Sequence, residues 1–332
     1  MGIHYVEEKT SLHCIQENVC LKKYNWFELG GIARYFAEPE NISDLKAIIN
    51  FSNTQNLPIK LLGLGANVLI SDYGYQGIII KLDNKNICHE YLENETGLLH
   101  ADGGCTIEEL IKYSLNKAFL FGLEEFSGIP STVGGALFIN LHYFAFLISQ
   151  FVHSAKIYDT IEKKIITVDA NWFEFGYDTS KVKENKQYII LSASFLLKRN
   201  TALYAEYAKG RSLEITRHRQ NRYPYQKTCG CFFKNLSPAQ APMGPEGKKI
   251  LSAGYYLDKV DVRGELKKNN CSVSSRHANM MIHNGAGTAS DIIAIAKIMQ
   301  KKVFDRYGIL LEPECELIGF DEYPLYTLST IQ

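Results

Sequence analysis

The chain is predicted to adopt an α+β fold in three parts, on three observations. From residue 35 onward, short β-branched and aliphatic runs alternate with stretches whose apolar residues recur at helical spacing. Glycine-rich loops stand between these runs, "LGLGANVLIS" at 62–71 and "GIPSTVGGALFIN" at 128–140. Beyond residue 223 come further strands and loops and one long amphipathic pattern. With 332 residues the chain has the length of two or three domains.

Each element has a local reason. "YFAEP" reads as a strand stopped at Pro39, and "NISDLKAIINFSN" as a helix capped by Asn41 or Ser43, with Leu45, Ile48, Ile49 and Ser52 on one face. "PIKLLG" is a short strand that enters the first glycine loop, and "GIIIKL" at 77–82 is another. "TIEELIKYSLNKAF" opens on a capping box, Thr106 with Glu109, and buries Ile107, Ile111, Leu115 and Ala118. The second glycine loop leads into an apolar element, "SAKIYDTIEKKIITVD" reads as a hairpin, and "YIILSASFLLKR" as a long strand. The charged "EITRHRQNRYPYQ" reads as a helix broken before Pro224. "TASDIIAIAKIMQKKVFDRYG" is a helix capped by Thr288 or Ser290, striped with Ile292, Ile295, Met299 and Val303, and ended by Gly308.

Composition excludes several function classes. Thirty-six basic and 36 acidic side chains balance, which gives no electrostatic reason to expect nucleic acid or an anionic membrane as partner. The N-terminal "MGIHYVEEKTSLHCIQ" lacks the basic and apolar regions of a secretory leader, and Gly2 lacks the downstream Ser or Thr of a myristoylation signal. The most apolar run, 137–152, is interrupted by Asn140, His142, Ser149 and Gln150, so no membrane span is expected. A cytoplasmic protein is expected. Eight cysteines are scattered without a CxxC, and nine histidines without HxH or HExxH, so no metal site is expected.

The 62–71 loop is neither of the common phosphate loops. A dinucleotide-binding G-x-G-x-x-G opens a helix, whereas position 68 is Val and begins the strand-like "VLIS". No Gly-Lys-Ser/Thr follows, as a Walker loop requires. A glycine loop between two strands either cradles a diphosphate on its backbone amides or simply turns the chain. This stretch alone leaves both open.

Several segments in order carry a resemblance. "NWFELGGIARYFAEPENISDL" (25–45), the 62–82 stretch and "GLEEFSGIPSTVGGALFIN" (122–140) resemble the FAD domain of the vanillyl-alcohol-oxidase type. More specifically, they resemble the MurB-type UDP-N-acetylenolpyruvoylglucosamine reductases. "CGCFFKN" (229–235), "SAGYYLDKVDVRG", "SSRHANMMIHNGAGTASDI" and "LLEPECELIG" are similar to later segments of that family. The resemblance covers roughly residues 20–320. It implies a two-part FAD-binding domain, residues 1–82 and 83–215, a C-terminal α+β substrate-binding domain at 216–316, and a tail at 317–332. It also implies FAD and NADPH as cofactors and a UDP-sugar as substrate, with a monomer expected. Gly30, Gly31, Gly63, Gly65, Ala66, Asn67, Gly128, Gly134 and Gly135 fall at FAD-binding positions. Lys234, Asn235, Arg263 and His277 fall at substrate positions.

Family members reduce FAD with NADPH, and the flavin then reduces an enolpyruvyl ether. A Ser donates the proton, and an Arg and a Glu lie near the substrate carboxylate. The Glu matches Glu314, but the donor position falls on Cys231 and the Arg position on Asp178, in "FEFGYDTSK". An unpaired carboxylate there would oppose an acidic substrate. Arg217, Arg219, Arg222 and Arg276 are candidates for a compensating cation; a divergent flavoprotein with another substrate and a non-catalytic nucleotide-binding scaffold are the alternatives. "NLHYFAFL" (140–147) puts bulky residues where the family carries glycines, and Trp26 replaces a small Thr.

Overall fold

The structure is a computed structural model that describes residues 12–224, 227–244 and 246–331. Gly2 and the rest of the segment read for a leader, up to residue 11, lie outside the described residues, as do Tyr225 and Gln226 of the charged segment.

The first sheet runs Ile15–Cys20, Ile32–Ala37, Tyr75–Ile80, Ile59–Leu61 in space. Its first pair is antiparallel and the other two are parallel. Helix α1 (Ile42–Thr54) makes the crossover, and Leu45, Ile48 and Ile49 pack on Ala37, Ile78 and Ile80. Burying each such aliphatic side chain contributes about 1.5–3 kcal/mol, which is why a helix of this length holds its place. Asn41 is the cap, its Oδ1 accepting from the Asp44 N–H at 3.0 Å.

The second sheet is antiparallel, in the order Lys164–Asp169, Val152–Asp159, Tyr188–Arg199, Thr96–Asp102, Ile87–Tyr91. Against it pack α2 (Ile107–Tyr113), with the capping box the sequence predicts, and α3 (Val133–Ile139), which grows from the second glycine loop. A single turn, α4 (Lys181–Glu184), precedes the long central strand. The charged segment belongs to a longer helix than its composition suggests, α5 (Ala202–Arg222), of which only Ala205, Ala208 and Ile215 are buried. It ends just before Pro224, as expected.

The third part holds α6 (Ala253–Lys259), a three-stranded sheet of Lys267–Lys268, Cys271–Val273 and Met281–His283, and α7 (Ala289–Tyr307). Thr288 caps α7 and Gly308 ends it at φ 67°. Two contacts return this part to the first. Glu316–Ile318 pairs in parallel with Val68–Ile70, the strand that leaves the 62–71 loop. The Asp72 carboxylate accepts from the N–H groups of Ala289 and Ser290, at 2.8 and 2.9 Å, at the start of α7. Among the described residues no helix is long and apolar enough to cross a membrane.

Candidate active site

These connections leave one large cleft of about 1580 Å³ where the three parts meet. One wall is the loop Leu62–Asn67, and another is the second glycine loop with Gly103 and Gly104. The end of α5, the segment 228–235 and Pro313–Glu316 complete it. Drug-sized ligands occupy roughly 300–1,000 Å³, so the cleft has room for more than one of them.

The cradle lies between the two glycine loops. The N–H groups of Gly63, Leu64, Gly65, Ala66 and Asn67 meet no acceptor among the described residues. Gly65 adopts φ +65°, and a Cβ there would sit 2.6 Å from Asn25 Cα. A Cβ on Gly63 would lie 2.8 Å from Thr132 Oγ1 in the facing loop, and one on Gly134 would lie 3.2 Å from the Gly103 carbonyl. Bare backbone on both sides, with unpartnered amides turned over a left-handed residue, is the donor set of an anion nest. The residues present therefore fit the diphosphate of FAD. Gly128 and Gly135 line the same cleft. Gly30 and Gly31 do not; they admit the strand Val68–Ile70 and its turn, since a Cβ would meet Ile70 at 2.8 Å and the Asp72 carbonyl at 2.2 Å, respectively.

At the other end three chain segments converge on ionisable groups. The segment Phe232–Asn235 is threaded between two others: Phe232 N–H donates to the Asn279 carbonyl at 2.8 Å, and Glu314 N–H to the Phe232 carbonyl at 2.7 Å. Lys234 N–H donates to the Glu312 carbonyl at 2.9 Å, and Asn279 clamps Phe233 through its side-chain amide. Cys231, Lys234 and Glu314 thereby share one wall. Burial pushes the Glu314 carboxyl up to about 8; the nearby Asp178 charge adds to this, while Lys183 and Lys234 oppose it. Near neutral pH Glu314 therefore carries its proton. The Cys231 thiol is raised by burial and then by Glu314, so it too stays protonated.

Asp178 is not the unpaired carboxylate that the sequence suggests. It is buried, at φ 53°, and its Oδ2 lies 3.1 Å from Lys183 Nζ. Lys183 was missed because a lysine in a four-residue helix has no sequence signal of its own. Of the four arginines considered, Arg217 pairs with Glu214 and Arg276 donates to the Gln220 and Tyr223 carbonyls, both away from the cleft lining. Arg219 and Arg222 do line it. Arg219 lies between the Tyr143 and Tyr223 rings, at 5.2 and 5.3 Å, and donates to the Gly128 carbonyl at 3.1 Å.

Asn235 and His277 line the cleft; Arg263 does not, and pairs instead with Asp258 at 2.8 Å. Asn235 donates to the hydroxyl of Tyr177 at 3.1 Å and accepts from the Ala253 N–H at 3.2 Å. The bulky 140–147 stretch forms a tight hairpin, Tyr143 pairing with Phe146. Leu141, His142, Tyr143 and Phe144 line the cleft, and Phe144 stands 71 % exposed.

Comparisons agree with this architecture. Residues 33–160 match the family model of an FAD binding domain. Residues 221–318 match the C-terminal domain of UDP-N-acetylenolpyruvoylglucosamine reductase. The reductase of Caldicellulosiruptor saccharolyticus is 30 % identical over 331 residues, covering 97 % of each chain. A second UDP-N-acetylenolpyruvoylglucosamine reductase, from Bacillus thuringiensis, is 32 % identical over 310 residues, 93 % of this chain and 94 % of its own. The crystal structure of the MurB reductase from Thermus caldophilus superposes with a TM-score of 0.72 at 24 % identity, over 92 % of this chain and all of that one, and has the same fold. The chain belongs to the UDP-N-acetylenolpyruvoylglucosamine reductase family.

Proposed function

We propose that the protein reduces UDP-N-acetylenolpyruvoylglucosamine to UDP-N-acetylmuramate, with FAD and NADPH, for peptidoglycan precursor synthesis. The observation that carries this reading is one cleft with unpartnered backbone amides at one end and a buried Glu314 near Lys183 and Lys234 at the other. Gly63, Gly65, Ala66 and Asn67, with Gly128, Gly134 and Gly135, are the residues that would hold FAD. Bound flavin supplies the hydride.

The chain's own side chains serve charge and proton. Negative charge that develops beside the substrate carboxylate needs a cation, and the adjacent carbon needs a proton. Cys231 stands in the position that the resemblance gives to the proton donor, and it keeps its proton because burial and Glu314 both disfavour the thiolate. Glu314 retains its own near neutrality. Lys234, Asn235 and His277 are the groups available to the nucleotide sugar; Arg263, held by Asp258 outside the lining, is given no part. The same reading takes the protein as a cytoplasmic monomer.

The test is NADPH oxidation by the FAD-loaded protein, with and without the enolpyruvyl UDP-sugar. Consumption that depends on the sugar and yields the lactyl ether is expected. A rate that ignores the sugar would sink the reading.

A further inference from the structure

We propose that Lys183 is the cation that receives the substrate's carboxylate, and that Asp178 behind it is a positioning residue. This rests on the function proposed above and names one contact within it. Nζ of Lys183 donates to the Asp178 carbonyl at 2.6 Å and to Asp178 Oδ2 at 3.1 Å. The left-handed backbone of Asp178 permits the carbonyl and the carboxylate to take the same ammonium. An ammonium has three protons, so one donor remains.

Order in depth decides which charge a ligand meets. The Asp178 side chain is 2 % exposed and does not line the cleft, whereas Lys183 is 25 % exposed and does. The carboxylate therefore lies behind and the ammonium in front. The pair presents its positive end to the cavity, the reverse of what Asp178 alone would present.

The mount is rigid. Ser180 caps α4, its Oγ accepting from the Lys183 N–H at 3.3 Å and donating to the Phe138 carbonyl at 2.8 Å, which fixes the turn to the end of α3. Asn140, just past α3, donates to the Gly176 carbonyl at 3.0 Å, two residues before Asp178. Lys183 and Lys234 are the cations that act on Glu314, while Arg219 and Arg222 act on Cys231. Of the two lysines, among the described residues, Lys183 is the one whose Nζ is hydrogen-bonded to a buried carboxylate.

The experiment compares two ligands on the FAD-loaded protein. One is the enolpyruvyl UDP-sugar, and the other is UDP-N-acetylglucosamine, which lacks the enolpyruvyl ether and with it the carboxylate. Titration calorimetry gives both affinities for wild type, Lys183→Met, Lys183→Gln and Lys234→Met. In Lys183→Met, affinity for the enolpyruvyl ligand is expected to fall about 10-fold or more, the worth of a charge-assisted hydrogen bond, while affinity for UDP-N-acetylglucosamine stays within about 2-fold. Lys183→Gln keeps a donor for Asp178 without the charge, and carries the same expectation should the Met variant fail to fold. Lys234→Met is expected to weaken both ligands alike.

Equal losses for both ligands in the Lys183 variants, or no loss, overturn the proposal. Wild-type protein that neither prefers nor turns over the enolpyruvyl ligand overturns the proposed function itself, and this assignment with it.

Discussion

Glu314 shows how burial makes a reagent from an ordinary side chain. Its ordinary pKa of 4.5 is pushed up to about 8, mainly because the cleft desolvates the charge. In the folded protein the carboxyl thus binds its proton more tightly than in the unfolded chain. The stability this contributes is complete below about pH 4.5 and is lost as pH rises through about 8. Glu314→Gln cannot ionise, so thermal melts of the ligand-free proteins are expected to diverge in its favour between pH 6 and pH 9. Melting temperatures that run parallel across that range would contradict the shift. Turnover is expected to decline in wild type as pH passes about 8, and to fall about 100-fold or more in Glu314→Gln at pH 7. Glu314 could be read from "LEPE" only by resemblance. Its raised pKa could not, because burial depends on two segments distant in sequence.

At the scale of elements, what was legible was local. Thr106 with Glu109 caps its helix as the spacing predicts, and Asn41 and Thr288 are the caps of the two helices for which the sequence offered a pair of candidates, because a cap is a contact over three residues. The strand Ile15–Cys20, "IQENVC", escaped notice because only Val19 in it is fully buried and its partner fixes it from outside. The glycines divide in the same way. Their spacing marks the loops, yet only the fold separates Gly63 and Gly65, over the cleft, from Gly30 and Gly31, against a strand.

Gly65→Ala is expected to lose FAD during gel filtration, since its added Cβ meets backbone at a left-handed residue. Gly63→Ala is expected to retain more, because its neighbour at 2.8 Å is the Thr132 side chain rather than backbone. Equal retention would remove the loop from the cofactor's path. The other joint is Asp72, which holds two N–H groups at the start of α7 and the Ser290 hydroxyl at 2.7 Å. Asp72→Ala is expected to cost about 1–2 kcal/mol in urea unfolding, the range of a lost N-terminal cap. An unchanged midpoint would mean that α7 docks without it.

The whole molecule explains why the site needed a structure to be seen. The glycine loops and Lys183 come from the first two parts, while Cys231, Lys234 and Glu314 come from the third. The parallel pair Val68–Ile70 with Glu316–Ile318 ties them together, running from the cradle on one strand and from Glu314 on the other. Ordered motifs revealed the family, but the pairing of Asp178 with Lys183 belongs to folded space.

The proposed function requires one cleft to bring a flavin and an acidic nucleotide sugar to the same side chains. Its most direct measurement is the visible spectrum of the FAD-loaded protein under anaerobic conditions, first with NADPH and then with the enolpyruvyl UDP-sugar. The flavin band is expected to bleach with NADPH and to return on addition of the sugar. A band that bleaches but stays bleached, or a protein that takes up no FAD, would rule that function out.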